Sequence, residues 1–176
     1  MSDQTCGLTD VAGVCLDEAS TSFVREALRR VRAIPGVGLA SMTTDLPVTH
    51  LSRRSPVNIE DRPEESGKGL FFEVTSVTPE YFRVLQAPLI RGRYFAEGDE
   101  PGKQPVVIVD ETTARTFWPD RDPIGRRLSI RSRRGTANPP WSTVVGVIAD
   151  IRNDGLEQSG SPHFYSPIYQ VPRIRS

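Results

Sequence analysis

The feature that most restricts the fold of this chain is its density of chain-breaking residues. Its 176 residues include 14 glycines and 15 prolines. These residues turn the chain and interrupt helices, so we expect many turns and short elements rather than a bundle of long helices. Hydrophobic residues make up 37% of the chain, and its length allows one good core or two small subdomains. The sequence therefore predicts a folded body.

The charges of the chain cancel. Lys and Arg together number 22, as do Asp and Glu, so the chain has no overall attraction to nucleic acid or to an anionic membrane. No run approaches the ~20 apolar residues of a membrane span, and no secretion signal opens the chain. We expect a soluble fragment that has no nucleic-acid partner.

The N-terminal segment, residues 1–19, shows no clear hydrophobic period, and no secondary structure is predicted for it. It contains both cysteines, Cys6 and Cys15. In an oxidising compartment they could close a small loop as a disulfide, and in a reducing one they would be two thiols. Their spacing does not decide between these states, and the absence of a CxxC pattern argues against a zinc or redox site.

An amphipathic helix is predicted over residues 20–33. Apolar residues recur there at spacings of three and four, while arginines fall mainly on the other face. Pro35 and Gly36 end the helix, and residues 37–44 read as a strand. The apolar stripe consists of Phe23, Ala27, Val31 and Ile34, widened by Val24 and Leu28.

The rest of the chain alternates between short strands and short helices. Residues 45–69 are polar and are predicted to form a long loop or an irregular edge hairpin that could face a partner. Residues 111–118 are predicted to form a helix. Counting residues 37–44, we expect roughly six strands; the other five cover residues 70–77, 105–110, 126–132, 141–152 and 163–170.

The segment VTPEYFRVLQAPLIRGRYF, residues 77–95, is dense in aromatic residues and arginines. Thr78 is predicted to cap a short helix, with Pro79 at its first position and Glu80 at its positive end. The arginines are expected to cover the core with their stems. We expect five aromatic residues of this and the later helix to be buried: Tyr81, Phe82, Phe95, Phe117 and Trp118.

Two motifs resemble ligand sites but favour structural interpretations. Asp150 follows an apolar strand, as a ribose-binding carboxylate would. The required GxGxxG turn is missing, however, and Gly146 inside the strand indicates a bulge or close strand packing. Asp120 and Asp122 resemble a metal clip, but flanking prolines and too few oxygen ligands favour a turn with aspartate caps.

The remaining candidates are one basic patch and two histidines. The run RRLSIRSRR is the most basic patch, and on a strand Arg127, Ser129 and Arg131 would share one face, which favours a solvated or protein-contact face. His50 and His163 lie far apart, and no nucleophile motif accompanies them. We therefore predict no catalytic, cofactor-binding or metal-binding residues, although sequence distance does not exclude a spatial triad.

Four segments in order resemble a known family. They are VTPEYFRVLQAPLIRGRYF, then VVIVDETTARTFWPDRDPIGRRLSI, then TVVGVIADIR, then HFYSPIYQ. Together they resemble the MacB-like periplasmic core domain of ABC-transporter permeases of the FtsX/LolE type, in particular permeases with a duplicated architecture. The resemblance covers residues 23–170, and the unit of helix, PGV turn and strand at residues 27–40 agrees with it. Residues 1–19 depart from it, because the family would place a membrane helix and a first strand there.

The resemblance implies an α+β fold with mixed sheets, in which a βαβ-like subdomain carries an inserted, strand-rich lobe at about residues 70–155. Residues 20–176 would form the core domain. It also implies a non-catalytic extracytoplasmic domain of an inner-membrane permease, tethered by membrane helices outside this sequence. Such a domain would transmit ATP-driven motion for export or for lipid or lipoprotein handling. Its implied partners are a second permease copy or duplicated half, a cytoplasmic ATPase subunit and, where one exists, a periplasmic adaptor.

Two other functions stay open. The first is a periplasmic module that binds a small molecule or lipid in a cleft beside residues 45–69. The second is a hydrolase with an unrecognised site. Neither the transported substrate nor the oligomeric state can be deduced from the sequence.

Overall fold

A computed structural model describes residues 18–46, 53–62, 70–130, 140–151 and 161–170. Within these ranges the chain forms three α-helices, seven strands and a final 3₁₀ turn at Ile168–Gln170. The helices are α1 (Glu18–Arg32), α2 (Tyr81–Val84) and α3 (Glu111–Phe117). The strands are β1 (Arg53–Ile59), β2 (Phe71–Val77), β3 (Leu89–Gly92), β4 (Val106–Asp110), β5 (Arg127–Ile130), β6 (Trp141–Ile148) and β7 (His163–Pro167). The predicted α+β class with a mixed sheet is confirmed.

The sheet closes on itself. Its strand order is β3-β6-β4-β7-β2-β1-β5, and β5 pairs in addition with β6. The first part of β6 pairs with β5, at Arg127 opposite Thr143, and the last part pairs with β3, at Gly92 opposite Gly146. Six strands therefore form a closed ring that β3 extends at one point. The β2–β7 and β4–β6 pairs are parallel and the other pairs are antiparallel.

A first apolar cluster fills the interior of the closed sheet. It takes side chains from all six strands of the ring, because alternate residues of each strand point to the same side. Phe117 and Trp118, at the end of α3, join this cluster, and the Phe117 ring stacks on Phe72 with centroids 4.9 Å apart. Each buried aromatic or aliphatic side chain contributes roughly 1.5–3 kcal/mol. The filled interior makes the closed sheet rigid, so the other elements pack against a fixed surface. The closed sheet with the elements packed on it is called the body below.

A second cluster lies on the outer face of the sheet. Tyr81 and Phe82 from α2 pack there with Phe95 and with Tyr165 of β7. The Phe82 ring meets the Tyr165 ring edge-on, with centroids 5.1 Å apart, and is itself fully buried. The five aromatic residues predicted to be buried are between 0% and 5% exposed, which confirms that prediction.

The prediction for Gly146 is also confirmed. The register of β4 against β6 shifts between Val107 and Ile108, where β6 passes from Val144 to Gly146. A Cβ atom on Gly146 would lie 2.3 Å from the carbonyl oxygen of Arg93. Only glycine therefore allows the chain after β3 to approach β6 this closely.

Several local predictions were wrong. Residues 37–44 form no strand; only Thr43 makes an isolated bridge, to Val77. β2 already has β1 and β7 on its two sides, so only its end remains available to this segment. Within residues 45–69, Arg53–Ile59 is not a loop or edge hairpin but strand β1, paired on both sides. Residues 47–52 and 63–69 lie outside the described ranges.

The cap and the basic face were predicted wrongly too. The Thr78 hydroxyl accepts a hydrogen bond from Met42 N instead of capping α2, which starts at Tyr81 after Glu80. Ser129 is 1% exposed rather than solvated, because β5 lies between β1 and β6 and is not an edge. Arg131 lies outside the described ranges.

Helix α1 is present as predicted, but its orientation differs. Val24 and Leu28 are buried, whereas Phe23, Val31 and Ile34 are 68%, 41% and 54% exposed. The residues expected to be the centre of the apolar stripe therefore face outward. The rest of the domain covers only the side of the apolar stripe that carries Val24 and Leu28.

Candidate functional site

A narrow junction joins α1 to the rest of the domain. Among the side chains of α1 that the structure describes, those of residues 21–32, the buried apolar ones are Val24 and Leu28. Arg25 Nη2 lies 3.2 Å from Glu100 Oε1, and Arg32 Nη2 lies 2.9 Å from Glu80 Oε2. Most of these charged side chains are substantially exposed, and exposed ion pairs typically contribute only about 0–1 kcal/mol each. Among the described contacts, the apolar attachment of the helix therefore rests on two side chains, and its polar attachment on exposed, individually weak ion pairs.

A cleft of about 260 Å³ lies in this junction. The Arg25 guanidinium stands 4.9 Å from the centre of the Tyr169 ring, on the wall opposite α1. Burial raises the pKa of the Tyr169 phenol above its ordinary value, so it is neutral at physiological pH. The wall residues are Arg25, Leu28, Arg32, Pro79, Glu80, Glu97, Glu100 and Tyr169. Two arginines of the helix thus face three carboxylates of the body across the cleft. The arginines are Arg25 and Arg32, and the carboxylates are those of Glu80, Glu97 and Glu100.

The loop after β3 supplies a firmer ion pair next to this junction. Arg93 donates two hydrogen bonds to Asp99, of 2.8 and 2.9 Å, and the Asp99 carboxylate also accepts from Ala96 N. Burial alone would raise the pKa of Asp99, but the hydrogen bonds from Arg93 and Ala96 N lower it below its ordinary value. These hydrogen bonds hold the loop in one conformation, and Arg25 of α1 contacts Glu100 at the end of the loop.

A buried polar cluster lies on the outer face of β2 and β7. Thr75 Oγ1 lies 2.9 Å from His163 Nε2, and Glu73 Oε2 lies 3.5 Å from His163 Nδ1. The imidazole lies flat against the Tyr165 ring, with centroids 4.3 Å apart. Parallel pairing of β2 with β7 brings these residues together, since Glu73 is opposite His163.

The cluster has the hydroxyl, imidazole and carboxylate series of a nucleophilic hydrolase. Its side chains are inaccessible, however: Thr75 and His163 are each 3% exposed and Glu73 is 5% exposed. A carbonyl substrate cannot reach a hydroxyl buried within a packed sheet face. Sequence reasoning missed this cluster, and its only signal was a charged residue and a histidine within strands rich in aromatic and β-branched residues.

Asp110 links this cluster to α3. Its carboxylate accepts a 2.8 Å hydrogen bond from Thr113 N and so caps the helix. The Thr113 hydroxyl donates to the carbonyl of His163 at 3.1 Å, which fastens α3 to β7. Burial raises the pKa of Asp110 to about 6, although the hydrogen bonds from Thr113 oppose the rise.

The other sequence candidates lie elsewhere and make local contacts. Asp150 accepts from Thr112 N at 2.8 Å and from the Thr112 hydroxyl at 2.7 Å. Asp122 accepts from Ile124 N at 3.0 Å, as a turn-capping aspartate does. Cys6, Cys15, His50 and the end of the basic run lie outside the described ranges. In the part of the chain that the structure describes, no three His, Cys, Asp or Glu side chains are arranged to hold a metal ion.

The first two arginines of the run RRLSIRSRR bind carboxylates on the turn after β1. Arg126 Nη1 lies 2.6 Å from Asp61 Oδ2, and Arg127 Nε donates to Glu60 at 2.7 Å. Hydrogen bonding from Arg127 lowers the pKa of the Glu60 carboxyl. The described part of the basic patch is thus matched by acidic residues of the same chain.

A second cleft, of about 390 Å³, lies where α3 ends. Trp118 forms part of its wall, and its buried indole N–H has no hydrogen-bond acceptor among the described residues. The wall residues are Asp61, Arg62, Phe117, Trp118, Pro119, Asp120 and Arg121. The cleft therefore combines an aromatic base with a charged rim.

None of the helices in the described ranges has the length and apolar character that crossing a bilayer requires. Comparison with solved structures finds similar folds. The periplasmic region of MacB from Actinobacillus actinomycetemcomitans superposes with a TM-score of 0.54 at 18% identity, over 82% of this chain and 55% of that one. The extracellular domain of the noncanonic ABC-type transporter YknZ from Gram-positive bacteria gives a TM-score of 0.53 at 16% identity, over 83% of this chain and 63% of that one.

A domain of a putative permease protein from Porphyromonas gingivalis gives a TM-score of 0.51 at 22% identity, over 81% of this chain and 55% of that one. The chain thus spans 55% to 63% of the length of these three solved chains. A comparison with curated protein sequences finds no match. The model of the family described as MacB-like periplasmic core domain matches residues 16–176. The chain therefore belongs to the MacB-like periplasmic core domains, which are extracytoplasmic parts of ABC-transporter permeases.

Proposed function

We propose that this domain transmits ATP-driven motion in an ABC-transporter permease and that it has no catalytic role of its own. The observation that carries the proposal is the contrast between the filled, closed sheet and the narrow, ionic junction of α1. A firm body with one weakly held helix can change shape at the junction without unfolding, because exposed ion pairs exchange at little cost. The buried Thr75–His163–Glu73 cluster fastens strands and is not a reaction centre.

The proposal includes the partners of the domain. A cytoplasmic ATPase subunit would supply the motion through membrane helices, and a second permease copy or duplicated half would receive it. A periplasmic adaptor, where one exists, would dock on the same domain. The division into a βαβ-like subdomain and an inserted lobe at about residues 70–155 belongs to this proposal as well.

The test is to lock α1 to the body within the permease. Arg25→Cys and Glu100→Cys, in a background without Cys6 and Cys15, would be joined by a short thiol cross-linker that a reductant cleaves. If the junction must move, locking lowers the ATP hydrolysis rate of the reconstituted permease several-fold, and the reductant restores it.

The matched control joins two residues of the firm body, Thr112→Cys and Asp150→Cys, whose side chains are in contact. Locking that pair should leave ATP hydrolysis unchanged, because β6 and α3 move together. If the permease locked at α1 hydrolyses ATP and moves substrate as well as the control does, the proposal fails.

A second candidate function is the binding of a small molecule in the cleft at the end of α3. Asp61 and Arg62 of the cleft belong to the 45–69 segment, beside which such a site was expected. The charged rim favours a polar ligand over a lipid tail. Titration of the chain with a panel of polar metabolites, followed by Trp118 fluorescence, would support this function if binding saturates and is lost in Arg121→Ala.

A further inference from the structure

One side chain on the final 3₁₀ turn holds the segment that leads into β4. Gln170 Oε1 accepts a 3.0 Å hydrogen bond from Val106 N, the first amide of β4. Gln170 Nε2 donates to the carbonyl oxygen of Glu100 at 3.2 Å and to that of Gln104 at 3.1 Å. All three bonds require the same orientation of the amide, because a flipped amide would bring its NH2 group to a backbone N–H and its oxygen to two carbonyls. Gln170 therefore fixes residues 100–106 relative to its own turn.

The segment that Gln170 holds is also the one that α1 contacts. Arg25 Nη2 lies 3.2 Å from Glu100 Oε1. The guanidinium of Arg25 also lies over the aromatic side chain of Tyr169, the residue next to Gln170, at 4.9 Å from its centre. Arg25 thus contacts two groups outside its own helix. The position of each depends on Gln170, for the first through the backbone of Glu100 and for the second through the backbone of Tyr169.

These four residues form a closed contact cycle. It runs from Arg25 to Glu100, on to Gln170, along the chain to Tyr169 and back to Arg25. Exposed ion pairs and cation–π contacts are individually weak, so they hold α1 only while both of their groups stay in place. Loss of the Gln170 hydrogen bonds would release both groups that Arg25 contacts. Withdrawal of Arg25 would in turn remove a support of the turn and of the segment before β4.

We propose that Gln170 is a coupling residue, through which α1 and the turn at Ile168–Gln170 open together rather than separately. The inference rests on the proposed function in taking α1 as the element that moves, and it adds the element to which that movement is coupled. Coupling between two sites is reciprocal. A change at Gln170 must therefore alter the opening of α1, and a change at Arg25 must alter the opening of the turn. No described hydrogen bond or ion pair joins Arg25 to Gln170 directly, so the coupling passes through Glu100 and Tyr169.

Hydrogen exchange of the chain, measured for single amides by nuclear magnetic resonance, tests the first direction. Gln170→Glu keeps the acceptor for Val106 N but places a carboxylate oxygen against two carbonyl oxygens, so it should release the turn. The amides of α1 are then expected to exchange several-fold faster than in the parent, relative to those of β6, so that a general loss of stability is recognised. The control Gln86→Glu makes the same change at an exposed site after α2 and should leave α1 unchanged.

The amide of Val106 tests the reverse direction, because its acceptor is Gln170. Arg25→Ala removes the guanidinium from the contact cycle, and the Val106 amide is expected to exchange several-fold faster than in the parent. The control Arg29→Ala removes an arginine of the same helix whose partner, Glu26, lies on α1 itself, and should leave Val106 unchanged.

The double variant of Arg25→Ala and Gln170→Glu measures the coupling itself. Its increase in α1 exchange should be smaller than the product of the two single increases, because both changes open the same contact cycle. Increases that multiply would overturn the proposal. So would faster exchange at Val106 in Gln170→Glu without any change in α1, because Gln170 would then only close the segment before β4.

Tyr169→Leu keeps the proposal testable if Gln170→Glu does not fold. It removes the aromatic side chain beneath Arg25 without touching the Gln170 amide. Exchange should become faster at Val106 as well as in α1. An unchanged Val106 amide in this variant would overturn the proposal.

The coupling and motion transmission can fail separately. Reciprocal coupling in the chain, together with a permease whose ATP hydrolysis is unaffected by locking α1, would retain the coupling and reject motion transmission. Absence of coupling, together with a permease that locking slows, would retain motion transmission and reject the role of Gln170.

Discussion

Substituting Gly146 by alanine should destabilise the domain far more than its single added methyl group suggests. The new Cβ atom would lie 2.3 Å from the carbonyl oxygen of Arg93, whereas an ordinary contact is 3.4–4 Å. Because the obstacle is backbone, the segment after β3 must move away from β6 by about 1 Å, as estimated from that difference. Hydrogen bonds across this seam, such as the 2.9 Å bond from Arg93 N to Val145 O, would lengthen.

The magnitude follows from these changes. Overpacking of this kind costs about 1–3 kcal/mol, and a weakened backbone hydrogen bond adds about 0.5–1.5 kcal/mol. Replacing glycine restricts the unfolded chain and returns about 0.4–1 kcal/mol. We expect a net loss of roughly 2–3 kcal/mol in the free energy of unfolding, and a fall of about 4–12 °C in Tm for a chain of this size.

The assay is urea unfolding followed by tryptophan fluorescence, with Gly38→Ala as the matched control. A Cβ at Gly38 meets nothing within 4 Å, so this variant should unfold within about 1 kcal/mol of the parent chain. A Gly146→Ala variant as stable as the Gly38→Ala variant would refute the close approach of the β3 segment to β6.

Three further predictions concern the core and the buried charges. The folded-state pKa of Asp110, about 6, is above the unfolded value near 4, so protonation stabilises the fold. As pH rises from 4 to 7, the free energy of unfolding of the parent, measured in urea, should fall by about 2–3 kcal/mol relative to that of Asp110→Asn; parallel pH profiles for the two proteins would contradict this. Phe82→Ala should cost about 3–5 kcal/mol in urea unfolding, whereas Val84→Ala, at a site 39% exposed, should cost less than about 1.5 kcal/mol. Arg93→Ala leaves the carboxylate of Asp99 without its guanidinium and should lower the free energy of unfolding by about 1–3 kcal/mol at neutral pH. This loss should be smaller at a pH low enough to protonate Asp99; an equal loss at both pH values would show that the ion pair is not the cause.

The sequence predicted the elements that carry a strong local pattern. Residues 106–110 and 143–148 are rich in β-branched residues, and α1 has a clear helical period, so a strand, a strand and a helix were predicted there. The predicted strand over residues 141–152 nevertheless ends at Ile148. β1 was missed because its sequence, RRSPVNI, is polar and includes Pro56. What makes it a strand is the pairing with β2 and β5 on both sides, which comes from distant parts of the chain.

The candidate site depends even more on long-range contacts. The Thr75–His163–Glu73 cluster exists only because β2 and β7 pair in parallel with one particular register, which no local pattern specifies. The orientation of α1 was predicted wrongly for a related reason. A helical period shows that a face is apolar, but it does not show whether this chain or another molecule covers it. Phe23 and Val31 are on that face and Val24 is beside them, yet only Val24 is buried.

The measurement that tests motion transmission most directly is a distance across the α1 junction in the working permease. Spin labels would be attached to Ser22→Cys on α1 and Thr116→Cys on α3, in a background without Cys6 and Cys15. Pulsed electron paramagnetic resonance would then measure the distance between the two labels. The reconstituted permease would be compared without nucleotide and with ATP trapped by vanadate. The account predicts that the distribution of distances shifts between the two states. Identical distributions, in a preparation that hydrolyses ATP, would contradict it.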